Sequence, residues 1–202
     1  MSNNKFRSNR IITLILDKFP TISKRSFNVS ESEERFSYVT WIKGIIDAFC
    51  LSNDFRHEND IWIYGVWDKL LLKINGRSVR YINPESRSLA MLLRQAFIAH
   101  NSNYTKAKMP LGFEIEKLNL SSAEKLFLNG FYYENSGVSV QKAIKSHIKL
   151  EKNITHIIFD RRRNENKTYF SGLTSFKIES TDERNLSNLI VLTNYYIDQF
   201  GV

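Results

Sequence analysis

The sequence predicts an α/β domain built on a largely parallel sheet with helices on both faces. Two observations lead there. Segments of strand and helix character alternate along most of the chain. Several strand segments are apolar on both sides, as strands buried between two layers are.

Thr13–Leu16 reads as the first buried strand. Ser30 and Ser32, followed by Glu33 and Glu34, offer hydroxyl caps and then acids at the positive end of a helix dipole. Phe36, Val39, Ile42, Ile45, Ile46 and Phe49 then recur at helical spacing, with an end expected near Ser52-Asn53. Ile61–Val66 reads as a strand covered on both faces. The run 69–74, Asn75-Gly76 and 77–82 together predict a β-hairpin with a type I′ turn, an antiparallel departure from the main sheet. A helix follows Asn83-Pro84, with Leu89, Leu92, Leu93, Ala96 and Phe97 on one face. Residues 112–116 form a short strand, and Ser121-x-x-Glu124 is a capping-box pattern for a helix that Gly130 ends. Strands are then expected at 131–133, 154–159 and 174–178, with helices at about 140–148 and 186–200.

The 202 residues suit a single domain with a core of its own. Hydrophobic residues are 42% and charged residues 25%, which excludes a disordered or collagen-like chain. No apolar run reaches the roughly 18–20 residues of a membrane span, and a secretory leader is not expected. One cysteine, Cys50, excludes an internal disulfide and cysteine-rich zinc modules; it falls on the apolar face of a predicted helix and reads as a buried thiol. An intracellular, reducing compartment, the cytoplasm, fits these features. The first ten residues, 101–106 and 161–167 are the expected mobile stretches.

Dinucleotide, P-loop, zincin and α/β-hydrolase motifs are absent. His57, His100, His147 and His156 lack ligand spacing, so no metal site is expected. The net charge of +8 favours a polyanion such as RNA. Basic residues gather at Lys142, Lys145, Lys149, Lys152, Arg161, Arg162, Arg163 and Lys167, and near the N-terminus at Lys5, Arg7, Arg10, Lys18, Lys24 and Arg25. Such side chains neutralise phosphates, and arginine also stacks on unpaired bases. In open α/β sheets ligands bind beyond the C-terminal ends of strands, which directs attention to the loops after Phe159 and Ile178.

Four collinear segments resemble the archaeal TrmY family, enzymes that methylate N1 of a pseudouridine in tRNA. They are 47–56 (DAFCLSNDFR), 81–88 (YINPESRS), 110–115 (PLGFEI) and 130–137 (GFYYENSG). The resemblance covers about residues 36–200. It implies a SPOUT-type α/β knot over 1–202, with a largely parallel sheet and a C-terminal trefoil knot at about 154–202. It also implies S-adenosyl-L-methionine as cofactor, RNA (tRNA) as partner, and a homodimer. Carried over residue by residue, it points to Asp160 and Arg56 as catalytic residues. Phe159, Asp160, Ser180, Thr181 and Leu189 would contact the cofactor, and Arg87, which matches a family arginine, would contact RNA. The basic run Arg161, Arg162, Arg163 and Lys167 replaces a Gly-containing acidic loop of the family and is assigned to RNA by its charge.

The departures are also specific. The family's G-D-H becomes Phe159-Asp160-Arg161, its G-R-x-D aligns with Phe36-Ser37-Tyr38-Val39, and its late cysteine corresponds to Leu189. With Val39 at the acid's position, Asp160, Asp47 or water must take the proton that leaves N1. A second expectation therefore stands beside the first: a chain that keeps the fold and RNA surface but has lost the cofactor. A basic domain that dimerises with a protein partner is a third.

Overall fold

The computed structural model describes residues 9–19, 33–50, 54–101, 108–128, 130–148, 154–162, 173–178 and 185–200. Its elements run β1 (Asn9–Leu16), α1 (Glu33–Phe49), β2 (Asn59–Gly65), β3 (Leu70–Asn75), α2 (Ser86–Asn101), β4 (Phe113–Lys117), α3 (Leu120–Phe127), β5 (Phe131–Ser139), α4 (Val140–Ile148), β6 (Ile154–Asp160), β7 (Thr174–Lys177) and α5 (Leu186–Phe200). One seven-stranded sheet joins the strands in the order β4-β3-β2-β1-β6-β5-β7. The pairs β1–β2, β1–β6, β5–β6 and β5–β7 are parallel; β2–β3 and β3–β4 are antiparallel.

The two-residue period of each strand divides the core into two layers. Ile12, Leu14, Ile61, Ile63, Leu72, Ile74, Ile157 and Phe159 face one side, against buried residues of α1, α2, α4 and α5. Ile15, Tyr64, Leu71, Tyr132 and Ile158 face the other, against Ala123 and Phe127 of α3. The helical cover on that second side is thus thinner. Trp62 and Phe127 help to close it, their rings packing edge-on against the buried His156 ring.

His156 lies 2.6 Å from the Thr13 hydroxyl, and burial lowers its pKa to about 4. The unfolded chain takes up this proton near pH 6.5, so the folded state loses stability as the pH falls from 6.5 towards 4. At about 1.4 kcal/mol per pH unit, urea titrations should show a loss of about 2 kcal/mol between pH 7 and pH 5. His156→Gln should abolish that slope. An unchanged slope in the variant would refute the assignment.

Several boundaries differ from the sequence reading. The Asn75-Gly76 hairpin does not form. Neither residue has a positive φ; the hairpin turn is instead 66–69, between β2 and β3, with Lys69 at φ 53°. Asn75 uses its side chain to accept from Ser78 N (3.0 Å) and Ser78 Oγ (2.8 Å), and its carbonyl accepts from Val79 N (2.8 Å). This turn lifts 77–82 out of the sheet, and β4 takes the place beside β3. Gly76 is required by space: a Cβ there would collide with the Asn59 carbonyl oxygen.

The α3 cap is Asn119, which accepts from Ser122 N at 2.8 Å, two residues before the expected Ser121. β5 continues to Ser139, with an irregularity between Tyr133 and Val138. Cys50 lies just past α1 in an isolated bridge to Phe55; burial, then Asp47, raises its thiol pKa. Two expected mobile stretches are ordered where they are described: Asn9 and Arg10 begin β1, and Arg161 and Arg162 are held at the end of β6. The remaining residues of those stretches, the caps Ser30 and Ser32 and the helix end at Ser52-Asn53 lie outside the described residues.

Candidate functional site

β1, β2 and β6 run in one direction, so the sheet has a C-terminal edge and an N-terminal edge. Asp160 ends β6 at the C-terminal edge, opposite Ile15. Its side chain is 1% exposed and fully engaged. Arg162 Nε donates to Oδ1 (2.9 Å) and Oδ2 (3.1 Å), and Nη2 donates to Oδ2 at 2.5 Å. The Arg162 backbone N–H adds a bond to Oδ1 (3.0 Å), and Tyr132 Oη donates to Oδ2 (3.2 Å). Burial pulls the Arg162 pKa down, but the hydrogen bond and charge of Asp160 carry it above its usual value. Burial and then Asp160 push the Tyr132 phenol up, so it stays protonated and donates.

Phe159 and Leu189 support this edge from within the core. Phe159 is 1% exposed, its ring packed with Tyr133, Phe176 and their neighbours. Leu189 is fully buried, its N–H bonded to Asn185 O and its carbonyl to Thr193 Oγ1. Neither side chain projects into open space. Arg161 is exposed at the strand end, where its N–H donates to Ile15 O at 2.8 Å. Ser180, Thr181, Arg163 and Lys167 lie outside the described residues, as do 179–184 and most of 161–167. Asp47, the other candidate base, accepts a short hydrogen bond from Ser187 Oγ, a clasp between α1 and α5.

Arg56 is on the opposite edge. It pairs with Asp198 at 2.9 Å, and Arg10 reaches the same carboxylate at 2.5 Å. Asp198 thereby holds the last turn of α5 against the start of β1. Burial alone would raise its pKa, but hydrogen bonds and charge from both arginines bring it below the usual carboxylate value. Arg10, counted from sequence among the surface cations, is therefore a buried structural residue. Arg10 and the Ile15–Asp160 pair are five residue steps apart along the strand, or about 16 Å. Within one chain, Arg56 and Asp160 cannot act on the same atom. Arg87 is exposed in the first turn of α2, apart from both ion-paired clusters.

No family model matches the sequence, and no curated protein is significantly similar to it. Among solved structures, Archaeoglobus fulgidus Nep1 bound to S-adenosylhomocysteine superposes over 96% of this chain and 99% of its own, with a TM-score of 0.57 and 6% identity. The chain has the fold of Nep1. That is the SPOUT-type α/β fold, with a mostly parallel sheet, as the resemblance implied. The match is one of backbone path rather than of residues.

No group of three or more His, Cys, Asp or Glu side chains placed to hold a metal ion occurs among the described residues. No described helix is long and apolar enough to cross a membrane. Sequence reasoning missed Asp198, whose partners are 188 and 142 positions away, and it missed Tyr81. The loop before α2 places Tyr81 outside the sheet at φ 67°, where the hairpin reading had made it a strand residue.

Proposed function

We propose that this protein is an S-adenosylmethionine-dependent RNA methyltransferase of the SPOUT class. In finer detail, we propose that it acts in the cytoplasm on N1 of a pseudouridine in tRNA, as the TrmY family does. The observation that carries the reading is the end-to-end likeness to a protein solved with S-adenosylhomocysteine. The net charge of +8 supports an RNA substrate. In this reading the chain threads into a knot over about 154–202.

Phe159, Ile178 and Leu189 belong to the buried apolar core, and in this reading the cofactor would lie beyond them. Ser180 and Thr181 would supply hydroxyls to it. When bound, S-adenosylmethionine supplies an electrophilic methyl group. The chain's own work is to hold the target nitrogen in line with it and to exclude water. Asp160 is held by Arg162 and Tyr132, so in this account the proton from N1 leaves to water or to Asp47. In this reading the protein is a homodimer, as the TrmY family is.

The engaged Asp160 and the buried Phe159 ring also favour a second reading, an RNA-binding protein that has lost methyl transfer. Transfer of radiolabelled methyl from S-adenosylmethionine separates the two. A tRNA T-arm stem-loop carrying pseudouridine should become labelled, and the same stem-loop with uridine should not. Labelling of neither RNA would overturn the enzyme reading.

A further inference from the structure

Tyr81 is the most exposed large hydrophobic residue among those described, at 82%. Its backbone lies in the left-handed region, which strains a tyrosine by about 1–2 kcal/mol and which glycine adopts freely. The fold holds it there. Val79 and Ile82 are buried on either side. Ser88 Oγ donates to the Tyr81 carbonyl (2.8 Å) and accepts from Asn83 N (3.2 Å), pinning the loop to the first turn of α2. An aromatic ring is thus held in water by a strained, braced backbone, with no hydrogen bond or ring contact to its side chain among the described residues.

The ring separates two hollows of about 360 and 390 Å³. Phe55, His57 and Arg80 line the first; Met91, Arg94 and Gln95 line the second. Arg80 is fixed beside the ring by Nη1 bonds to the carbonyls of Arg77 (3.1 Å) and Val79 (2.8 Å). Residues 77–94 carry four arginines, Arg77, Arg80, Arg87 and Arg94, against one acid, Glu85.

We propose that Tyr81 is a stacking platform for an unpaired RNA nucleotide, with Arg80 and Arg94 taking the phosphates on either side. A base presents a flat π-face to the ring while its backbone needs cations, and both are supplied here. The charge favours this occupant over an apolar protein segment. The inference deepens the RNA part of the reading above and rests on it. The platform lies on the edge away from Asp160, so it positions RNA rather than acting on the methyl group.

Fluorescence anisotropy with a labelled single-stranded RNA tests it. Tyr81→Gly removes the ring and relieves the strain, so the variant folds. It should bind about 5- to 150-fold more weakly than wild type, with the same salt slope. Tyr81→Phe should bind like wild type. Arg94→Gln should reduce the slope of log K against log salt by about 0.7.

Wild-type affinity in Tyr81→Gly, or no RNA binding by wild type, would overturn the proposal. So would a Tyr81→Gly variant that loses self-association but keeps its RNA affinity, because the hollows would then be a subunit contact. Calorimetry of S-adenosylmethionine binding to the same variants keeps the two claims apart. A chain that binds RNA through Tyr81 but not the cofactor would sink only the methyltransferase reading.

Discussion

Arg162→Met should destabilise the protein by about 3 kcal/mol, the lower end of the range for breaking a buried ion pair. The reason is the burial of the two side chains, 6% exposed for Arg162 and 1% for Asp160. Methionine fills much of the volume but leaves a buried carboxylate whose hydrogen bonds, among the described residues, come from the Tyr132 hydroxyl and one backbone N–H, with the Arg161 charge nearby. Those two bonds keep the loss below the upper end. For a chain of this length the melting temperature should fall by roughly 6–12 °C. Adding Asp160→Asn to the variant should recover part of that loss, because the buried charge goes with it. If the double variant is as unstable as the sum of the single ones, the two side chains are not coupled and the geometry at the end of β6 is misassigned.

Asp198→Ala should cost about 2–3 kcal/mol, or roughly 5–10 °C in melting temperature. It strands the Arg10 guanidinium, 8% exposed, and leaves Arg56, 14% exposed, with only a 3.8 Å pairing to Glu58 among the described residues. Asp198 itself is 38% exposed, so water screens part of the interaction and the figure sits below that of a fully buried pair. Arg10 has little else to hold it, since its bond to Asn194 Oδ1 is 3.4 Å long. Arg56→Gln should cost less, because the Arg10–Asp198 pair survives it. The pH sign follows from the depressed pKa of Asp198: its stabilisation is present above about pH 4 and is lost as the carboxylate protonates below that. Thermal melts at pH 7 and pH 2 should therefore separate wild type from Asp198→Ala much more at the higher pH. An equal gap at both would show that the charge on Asp198 does not hold α5 in place.

The parts of the fold legible in the sequence are those written in local pattern. The span of α5, 186–200, and the strand beginning at 154 could be read directly, because their apolar spacing is regular and their neighbours are polar. The Asn75-Gly76 turn was misread for a physical reason. The dipeptide favours a type I′ turn only if the chain must reverse there. Here β2 and β3 had already paired through 66–69, and Gly76 serves a close approach to Asn59 instead.

The site was less legible than the fold. Asp160 was found because it matches the acid of the family's G-D-H at a strand end, but its occupation by Arg162 depends on a backbone bend that no pattern announces. The Arg10–Asp198 contact joins the two ends of the chain, and charge alone made Arg10 look like a surface residue. Tyr81 carried no signal at all, since its exposure comes from a left-handed backbone set by Ser88 and its buried neighbours.

Isothermal titration of the full chain with S-adenosylhomocysteine tests the central claim most directly. A SPOUT-type methyltransferase should give a saturable heat with one site per chain, undiminished in Tyr81→Gly. No heat at millimolar S-adenosylhomocysteine, from protein shown to be folded by its thermal transition, would contradict the claim and leave the fold without the methyltransferase reading.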